Sequence, residues 1–239
     1  MDKNQLKTTW RVRIIVGIIA FLMLFSTFAV YTLIIVSSEN KKNASNVASE
    51  ELAKVEKELD AKREEAEALT DILSEKYFST FKKYRSNVKS YNAQAVNNAG
   101  LKTKDIVVGK GKEITADTEY FAYYIGWCAD ESVFDSSFDT YSNPSALVAP
   151  IQYTPNESSF VAGWEEGILG MKIGGVREID IPGELAYGDT REICGGTNSP
   201  LKFIIYPVEV SEEYKKTIEE FDILYRQYSV LYYSQNQGN

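Results

Sequence analysis

Residues 14–36 form an unbroken run of 23 uncharged and mostly apolar residues. As a helix this run would be about 35 Å long, which is enough to cross the hydrocarbon core of a bilayer. Four basic residues precede it, and only Lys41 and Lys42 follow it closely. Because positive residues stay on the cytoplasmic side, we expect residues 1–13 to be cytoplasmic and the rest of the chain to lie outside. The alternative is a cleaved signal peptide, whose apolar core is shorter, about 7–15 residues.

Residues 41–99 predict a helical stalk that ends in a linker. The stretch 49–89 has no proline or glycine and is rich in Glu, Lys, Ala and Leu, and Ser49 is a suitable N-cap. A narrow apolar seam favours a weak coiled coil, through which the chain could self-associate. The seam consists of Leu52, Val55, Leu59, Ala66, Leu69 and Leu73. The small and polar stretch 91–100 predicts a linker.

A broad aromatic stripe follows the seam. Its residues recur at helical spacing: Tyr77, Phe78, Phe81, Tyr84, Val88 and Tyr91. Because a stripe of this size should be covered, we expect it to pack on the following domain or on the C-terminal tail. The alternative is that it binds client chains or a second copy. Residues 211–239 place further aromatic and aliphatic residues at helical spacing, so we expect a C-terminal helix that could lie on this stripe.

Composition excludes several classes of function. The chain has no histidine and only two cysteines, which rules out Ser-His-Asp and Cys-His catalysis and the ordinary zinc sites. It also has no glycine-rich phosphate-binding loop. Residues 100–210 hold 17 acidic and 8 basic residues, a net charge of −9, which disfavours binding to nucleic acid. We therefore expect no metal, no cofactor and no nucleic-acid partner.

From residue 100 onward the pattern changes to strands and turns. Residues 118–127 are rich in Tyr, Phe and Ile, as strands are, and residues 176–181 and 201–210 alternate in the same way. Residues 160–169 form the one good short helix between them. Several antiparallel strands with a single helix predict an α+β half-barrel.

Two motifs stand close together without a usable cluster of acids, bases or metal ligands between them. The first is Phe160-Val161-Ala162-Gly163-Trp164-Glu165-Glu166-Gly167, and the second is Pro182-Gly183-Glu184-Leu185-Ala186-Tyr187-Gly188. They present a large aromatic residue between glycines and a tyrosine on a tight turn. This combination is typical of a site that acts by shape and desolvation rather than by proton transfer.

With Phe134-Asp135-Ser136-Ser137 and Asn198-Ser199-Pro200-Leu201, these motifs resemble the FKBP-type peptidyl-prolyl isomerases over residues 100–210, nearly half of the chain. The resemblance implies a twisted antiparallel sheet wrapped around one short helix, with a groove for proline. It implies rotation about X-Pro bonds of polypeptide clients without a cofactor. The catalytic residues that it implies are Asp135, Tyr187, Trp164 and Phe203. The substrate-binding residues that it implies are Tyr124, Phe134, Ile151, Phe160, Val161 and Ile193.

The chain departs from the family pattern in two loops. Residues 138–149 are longer than in compact members, and a basic partner for Asp135 is not evident there. Loop 189–199 is polar, so that only Ile193 and Cys194 could contact substrate. Cys194 also precedes a strand that should neighbour the one ended by Cys128. A disulfide between these two cysteines is permitted outside the membrane, and two free thiols are the alternative.

The sequence thus predicts a membrane-anchored prolyl isomerase that acts on exported or surface proteins. Two alternatives stay open. One is a chaperone or scaffold with the same groove and little turnover. The other is a structural envelope protein whose stalk is the functional part.

Overall fold

The computed structural model describes residues 41–139, 145–157 and 160–236. The predicted membrane-spanning segment 14–36 lies outside them, and so does part of the long loop 138–149. Among the described residues, no helix has the length and the apolar character needed to cross a bilayer. The described residues divide into a helical unit, 41–72 with 211–236, and a sheet unit, Leu73–Val210. The sheet unit is larger than the predicted domain 100–210, because it includes the last part of the predicted stalk.

The secondary structure alternates short strands with four helices in the described ranges. In chain order the elements are α1 (Lys41–Phe81), α2 (Ala93–Ala99), β1 (Lys102–Val107), β2 (Tyr120–Trp127), β3 (Val133–Ser136), β4 (Ile151–Tyr153), α3 (Ala162–Ile168), β5 (Val176–Ile181), β6 (Leu201–Val208) and α4 (Glu212–Asn236). Two 3₁₀ turns, Lys82–Asn87 and Gly183–Leu185, complete the set.

The stalk prediction is right in type and wrong at its ends. Helix α1 begins before Ser49 and stops at Phe81, where the chain tightens into the first 3₁₀ turn. The predicted linker 91–100 contains α2. Its N-cap is Asn92, whose side-chain oxygen accepts a hydrogen bond from the Ala95 amide at 2.9 Å. A capping side chain of this kind satisfies a free backbone donor, so a polar stretch that resembles a linker starts a helix instead.

In the helical unit, α4 runs antiparallel to the first part of α1. Lys62 Nζ lies 2.8 Å from a carboxylate oxygen of Glu220, and the Thr217 hydroxyl donates to Glu65 at 2.8 Å. Val55 and Leu59 of the predicted seam are buried, on the same helical face as Lys62. The predicted tail helix is confirmed. Within the helical unit, the contacts of α4 are with this earlier segment of α1, and its packing on the aromatic stripe stays a prediction.

The sheet is antiparallel throughout, in the order β1-β5-β6-β2-β3, with β4 also paired to β2. Its inner face packs against α3. A Cβ on Gly163 would lie 2.4 Å from Ile181, and one on Gly167 would lie 2.7 Å from Ile179. These two glycines, one helical turn apart, therefore let α3 lie directly on β5. The predicted α+β architecture, several antiparallel strands on one short helix, is confirmed.

The outer face of the sheet is covered by residues 73–91. Phe81 is fully buried and stacks on Phe138, with ring centroids 5.3 Å apart. The Tyr77 hydroxyl donates to the Glu209 carbonyl at 2.6 Å, and the Tyr91 hydroxyl donates to the Pro200 carbonyl at 2.8 Å. The aromatic stripe thus packs on its own domain, as one of the two alternatives predicted. The other alternative, a stripe that binds client chains or a second copy, stays a prediction.

Candidate active site

A cleft of about 430 Å³ opens on the inner side of the sheet unit. It lies between α3, β2, β3 and the turn that carries Tyr187. Its walls are mainly aromatic and aliphatic, and its lining residues are Tyr124, Phe134, Asp135, Ile151, Phe160, Val161, Ala162, Trp164, Ala186, Tyr187, Thr190 and Phe203.

Trp164 lies at the bottom of this cleft, on the first turn of α3. Only 3% of it is exposed. Its indole Nε1 donates a hydrogen bond to the Tyr120 hydroxyl at 2.9 Å. Burial raises the pKa of Tyr120, so this hydroxyl stays neutral. Tyr124 and Phe203 stand nearly perpendicular to the indole, with centroids 5.5 and 5.1 Å away, which is a favoured aromatic geometry.

Phe134 and Phe203 form one wall, and Gly126 makes room for it. The two rings meet edge to face, with centroids 5.5 Å apart. A Cβ at position 126 would lie 2.6 Å from both Phe134 Cζ and Phe203 Cε1. No real side chain tolerates such contacts, so the glycine in the Tyr-Ile-Gly segment of β2 is what allows the two rings to approach the strand.

Asp135 is held by neutral donors. One carboxylate oxygen accepts a hydrogen bond from the Tyr124 hydroxyl at 2.6 Å, and the other accepts from the Ser136 amide at 2.9 Å. The basic partner that the resemblance led us to look for is replaced here by a tyrosine. The hydrogen bond between Tyr124 and Asp135 fixes Tyr124 at the mouth of the cleft and points the carboxylate of Asp135 toward the cleft.

The tyrosine turn is fixed by backbone contacts. The Gly183 amide donates to the side-chain oxygen of Asn97 on α2 at 2.8 Å, and the Gly188 amide donates to the Gly183 carbonyl at 2.9 Å. The Thr190 amide and hydroxyl both donate to the Tyr187 carbonyl. On the opposite wall, the Val161 amide has no acceptor within the ranges that the structure describes. This amide is therefore available to a bound carbonyl group.

Loop 189–199 differs from its prediction. Ile193 and Gly196 exchange two backbone hydrogen bonds around Cys194 and Gly195, whose φ angles are 56° and 88°. Two positive φ angles are typical of a tight type I′ turn. The turn directs Ile193 toward the core, outside the lining of the cleft, and Thr190 lines the cleft in its place. Cys194 is joined to Cys128 by a disulfide, with Cα atoms 5.3 Å apart.

Of the ten predicted site residues, all but Ile193 line the cleft. The sequence prediction missed Ala162, Ala186 and Thr190 in the lining and Tyr120 behind Trp164. The two alanines stand inside the quoted motifs, so motif position could have identified them. Strand alternation places Tyr120 on the same face as Tyr124, but its contact with an indole 44 residues away gives no local signal.

Comparison with known proteins agrees with this geometry. Residues 110–210 match the family model described as FKBP-type peptidyl-prolyl cis-trans isomerase. The chain is 34% identical over 116 residues to an FK506-binding protein of Neisseria meningitidis serogroup B, an alignment that covers 48% of this chain and 98% of the relative. The chain belongs to the FKBP-type peptidyl-prolyl cis-trans isomerase family.

A second relative of this FKBP-type isomerase is the chloroplastic peptidyl-prolyl cis-trans isomerase FKBP13 of Arabidopsis thaliana. It is 32% identical over 124 residues, which cover 48% of this chain and 56% of the relative. A solved structure, the crystal structure of AtFKBP13, shares 29% identity, with a TM-score of 0.40 over 48% of this chain and 96% of that one.

The activity of the chain is therefore peptidyl-prolyl cis-trans isomerisation. The peptide bond before proline rotates slowly because amide resonance must be lost, at a barrier of about 18–20 kcal/mol. A twisted amide is less polar than a planar one. An apolar cleft with a few placed hydrogen-bond donors can bind the twisted amide more tightly than the planar one.

Proposed function

We propose that this FKBP-type isomerase is anchored in a membrane by residues 14–36 and acts on X-Pro bonds of exported or surface proteins. Three features support the proposal. The anchor run is long and uncharged, and basic residues are concentrated before it. The isomerase domain also contains a disulfide, and disulfides persist mainly in oxidising compartments.

The cleft suggests a role for each of its residues. The pyrrolidine ring of the client would lie on Trp164, between the walls formed by Phe134 and Phe203. The Tyr187 hydroxyl and the Val161 amide would donate hydrogen bonds to client carbonyls on either side of the proline. Asp135, held by Tyr124, would face the twisting amide, where its role would be electrostatic and orienting. No covalent step is needed.

The observation that carries the proposed chemistry is the open cleft with a buried indole below it and Tyr187 at its edge. We would test it with the full chain in detergent and a short X-Pro peptide. Tyr187→Phe keeps the ring and removes one donor, so kcat/KM should fall about two- to tenfold, the usual net contribution of one hydrogen bond. The matched control is Tyr232→Phe, an exposed tyrosine of α4 in the helical unit, which should leave kcat/KM unchanged.

The same assay decides between the isomerase and the chaperone or scaffold alternative. Negligible turnover by the full chain, together with suppression of client aggregation, would support a binding module and count against the proposed roles. Equal loss in Tyr187→Phe and Tyr232→Phe would show that the Tyr187 hydroxyl contributes nothing specific.

Location is tested separately. Protease added to intact spheroplasts should degrade the isomerase domain and leave a tag at residues 1–13 protected. The intact mass of the mature chain should include residues 1–36. A mature chain that begins after residue 36 would contradict the anchor in favour of a cleaved signal peptide. A protected isomerase domain would contradict action outside the membrane.

A further inference from the structure

Tyr120 stands directly behind the floor of the cleft. It does not belong to the lining, and only 2% of it is exposed. Its hydroxyl accepts the hydrogen bond from Trp164 Nε1 at 2.9 Å. Because the indole has a single polar group, which can only donate, this contact satisfies the one hydrogen-bonding requirement of the buried tryptophan.

The contact also closes a ring of four aromatic side chains. Tyr120 stacks on Tyr153, its direct partner on β4, with centroids 5.0 Å apart and an interplanar angle of 16°. Tyr153 stacks on Phe160 at 5.8 Å, and Phe160 stacks on Trp164 at 5.4 Å. The hydrogen bond from Trp164 to Tyr120 then joins the last member to the first. Phe160 and Trp164 touch the cleft, whereas Tyr120 and Tyr153 lie outside its lining.

This arrangement restricts the indole in two ways. Stacking on Phe160 sets the tilt of its plane. The hydrogen bond selects which edge points inward, because turning the ring over would bury an N–H group without an acceptor, and unpaired buried donors are strongly disfavoured. The face that the indole offers to the cleft is therefore fixed before a client arrives. Catalysis that depends on shape is sensitive to small displacements of such a surface.

We propose that Tyr120 is a positioning residue for prolyl isomerisation: through its hydroxyl and its stack on Tyr153, it holds Trp164 in the one orientation that supports the pyrrolidine ring. Tyr120 acts through Trp164 and does not touch the substrate.

The test is Tyr120→Phe in the full chain in detergent. The phenyl ring preserves the stack and removes only the acceptor. We expect kcat/KM for an X-Pro peptide to fall about three- to tenfold, as loss of one hydrogen bond implies. In protein labelled with ¹⁵N at its three tryptophans, the indole N–H resonance of Trp164, assigned by its absence in Trp164→Phe, should move and broaden. Tyr214→Phe removes a buried tyrosine hydroxyl of the helical unit and should change neither readout.

A double-mutant cycle separates positioning from a general structural effect. In a Trp164→Phe background no indole N–H remains, so Tyr120→Phe should cause no further loss of kcat/KM. An equal loss in both backgrounds would overturn the proposal, and so would an unshifted Trp164 resonance in Tyr120→Phe. Should Tyr120→Phe fail to fold, hydrogen exchange of the Trp164 indole in the unmodified protein decides the question: strong protection supports the proposal, and exchange as fast as that of a free indole overturns it.

Discussion

The two faces of the central sheet carry similar aromatic residues, but the outer face is covered and the inner face is partly open. Along β2, Tyr120 and Tyr124 point inward, while Tyr123 and Trp127 point outward. The outer face is sealed, since Tyr123 and Phe81 are completely buried. On the inner face Tyr124 and Phe134 remain partly exposed at the walls of the cleft. An aromatic cluster thus becomes a site only where the layer that covers the sheet stops short.

The polar tips of the aromatic residues distinguish the two faces further. On the outer face, the Tyr77 and Tyr91 hydroxyls and the Trp127 indole all donate to backbone carbonyls. On the inner face, Trp164 and Tyr124 donate to other side chains, Tyr120 and Asp135. Bonds to the backbone fasten a covering layer to its sheet. Bonds between side chains orient a surface that is left open for a ligand.

The largest effect should come from the sealed face. Phe81→Ala removes a fully buried ring that packs against Phe138 and Tyr206, and should lower the free energy of unfolding by about 3–5 kcal/mol. Well below the melting temperature, kcat/KM should be unchanged, because the cleft is on the other face. Denaturant unfolding and the peptide assay measure the two quantities. Phe78→Ala, at a half-buried position with one ring contact to Phe138, is the control and should cost less. Loss of activity in folded Phe81→Ala would show that the faces are coupled.

The disulfide should come next. It closes a loop between residues 66 positions apart, and the chain-entropy account gives about 4 kcal/mol for a loop of this length, with about 2–4 kcal/mol typical in practice. We expect the double variant Cys128→Ser, Cys194→Ser to lose stability in this range. Activity should largely persist, since Thr190 is tied to Tyr187 by two hydrogen bonds of its own.

Reductant provides the control for that experiment. It should lower the unfolding midpoint of the unmodified chain and leave the double-serine variant unaffected. A midpoint that does not respond to reductant in the unmodified chain would contradict a stabilising bridge.

A smaller effect is expected at the open face from Gly126→Ala. The new methyl group would press on Phe134 and Phe203, and overpacking of this kind costs about 1–3 kcal/mol. Because both rings line the cleft, kcat/KM should fall together with stability, in contrast to Phe81→Ala. Gly196→Ala is the matched control, since its nearest neighbour would be the Ser199 hydroxyl at 4.0 Å. Unchanged activity in a destabilised Gly126→Ala variant would show that the position of these two rings does not affect catalysis.

Much of this arrangement could be predicted from the sequence, because strands alternate and motifs are local. The period of two in β2 separates its inner from its outer residues, and the motifs around Trp164 and Tyr187 identify most of the cleft. The features that the sequence did not predict depend on contacts between distant segments. The turn at Cys194 and Gly195 reverses the direction of Ile193, and a polar loop gives no hint of positive φ angles at a cysteine. The division of α1 between two units could not be predicted either, because its seam and its stripe are both apolar at helical spacing.

The smallest expected effect is a pH dependence of stability that comes from the ionisation of Tyr206, on the outer face of the sheet. Burial, with Tyr77 and Tyr84 nearby, raises the pKa of Tyr206 to about 12, whereas an unfolded tyrosine titrates near pH 10. Between about pH 10 and pH 12 the unfolded chain therefore binds fewer protons than the folded one, and the free energy of unfolding falls as pH rises. The stabilising contribution is complete below about pH 10 and is lost as pH rises through about 12.

Tyr206→Phe cannot ionise, so its stability should decline less steeply with pH above 10, by up to about 1.4 kcal/mol per pH unit for one proton. Denaturant unfolding at pH 9, 10 and 11 measures the slope for this variant, for the unmodified chain and for Tyr232→Phe. Tyr232 is exposed, so its replacement should leave the slope as it is. Equal slopes for Tyr206→Phe and the unmodified chain would mean that water reaches Tyr206 in the folded protein. The outer face would then be less completely sealed than its packing indicates, and the contrast with the open cleft would be one of degree.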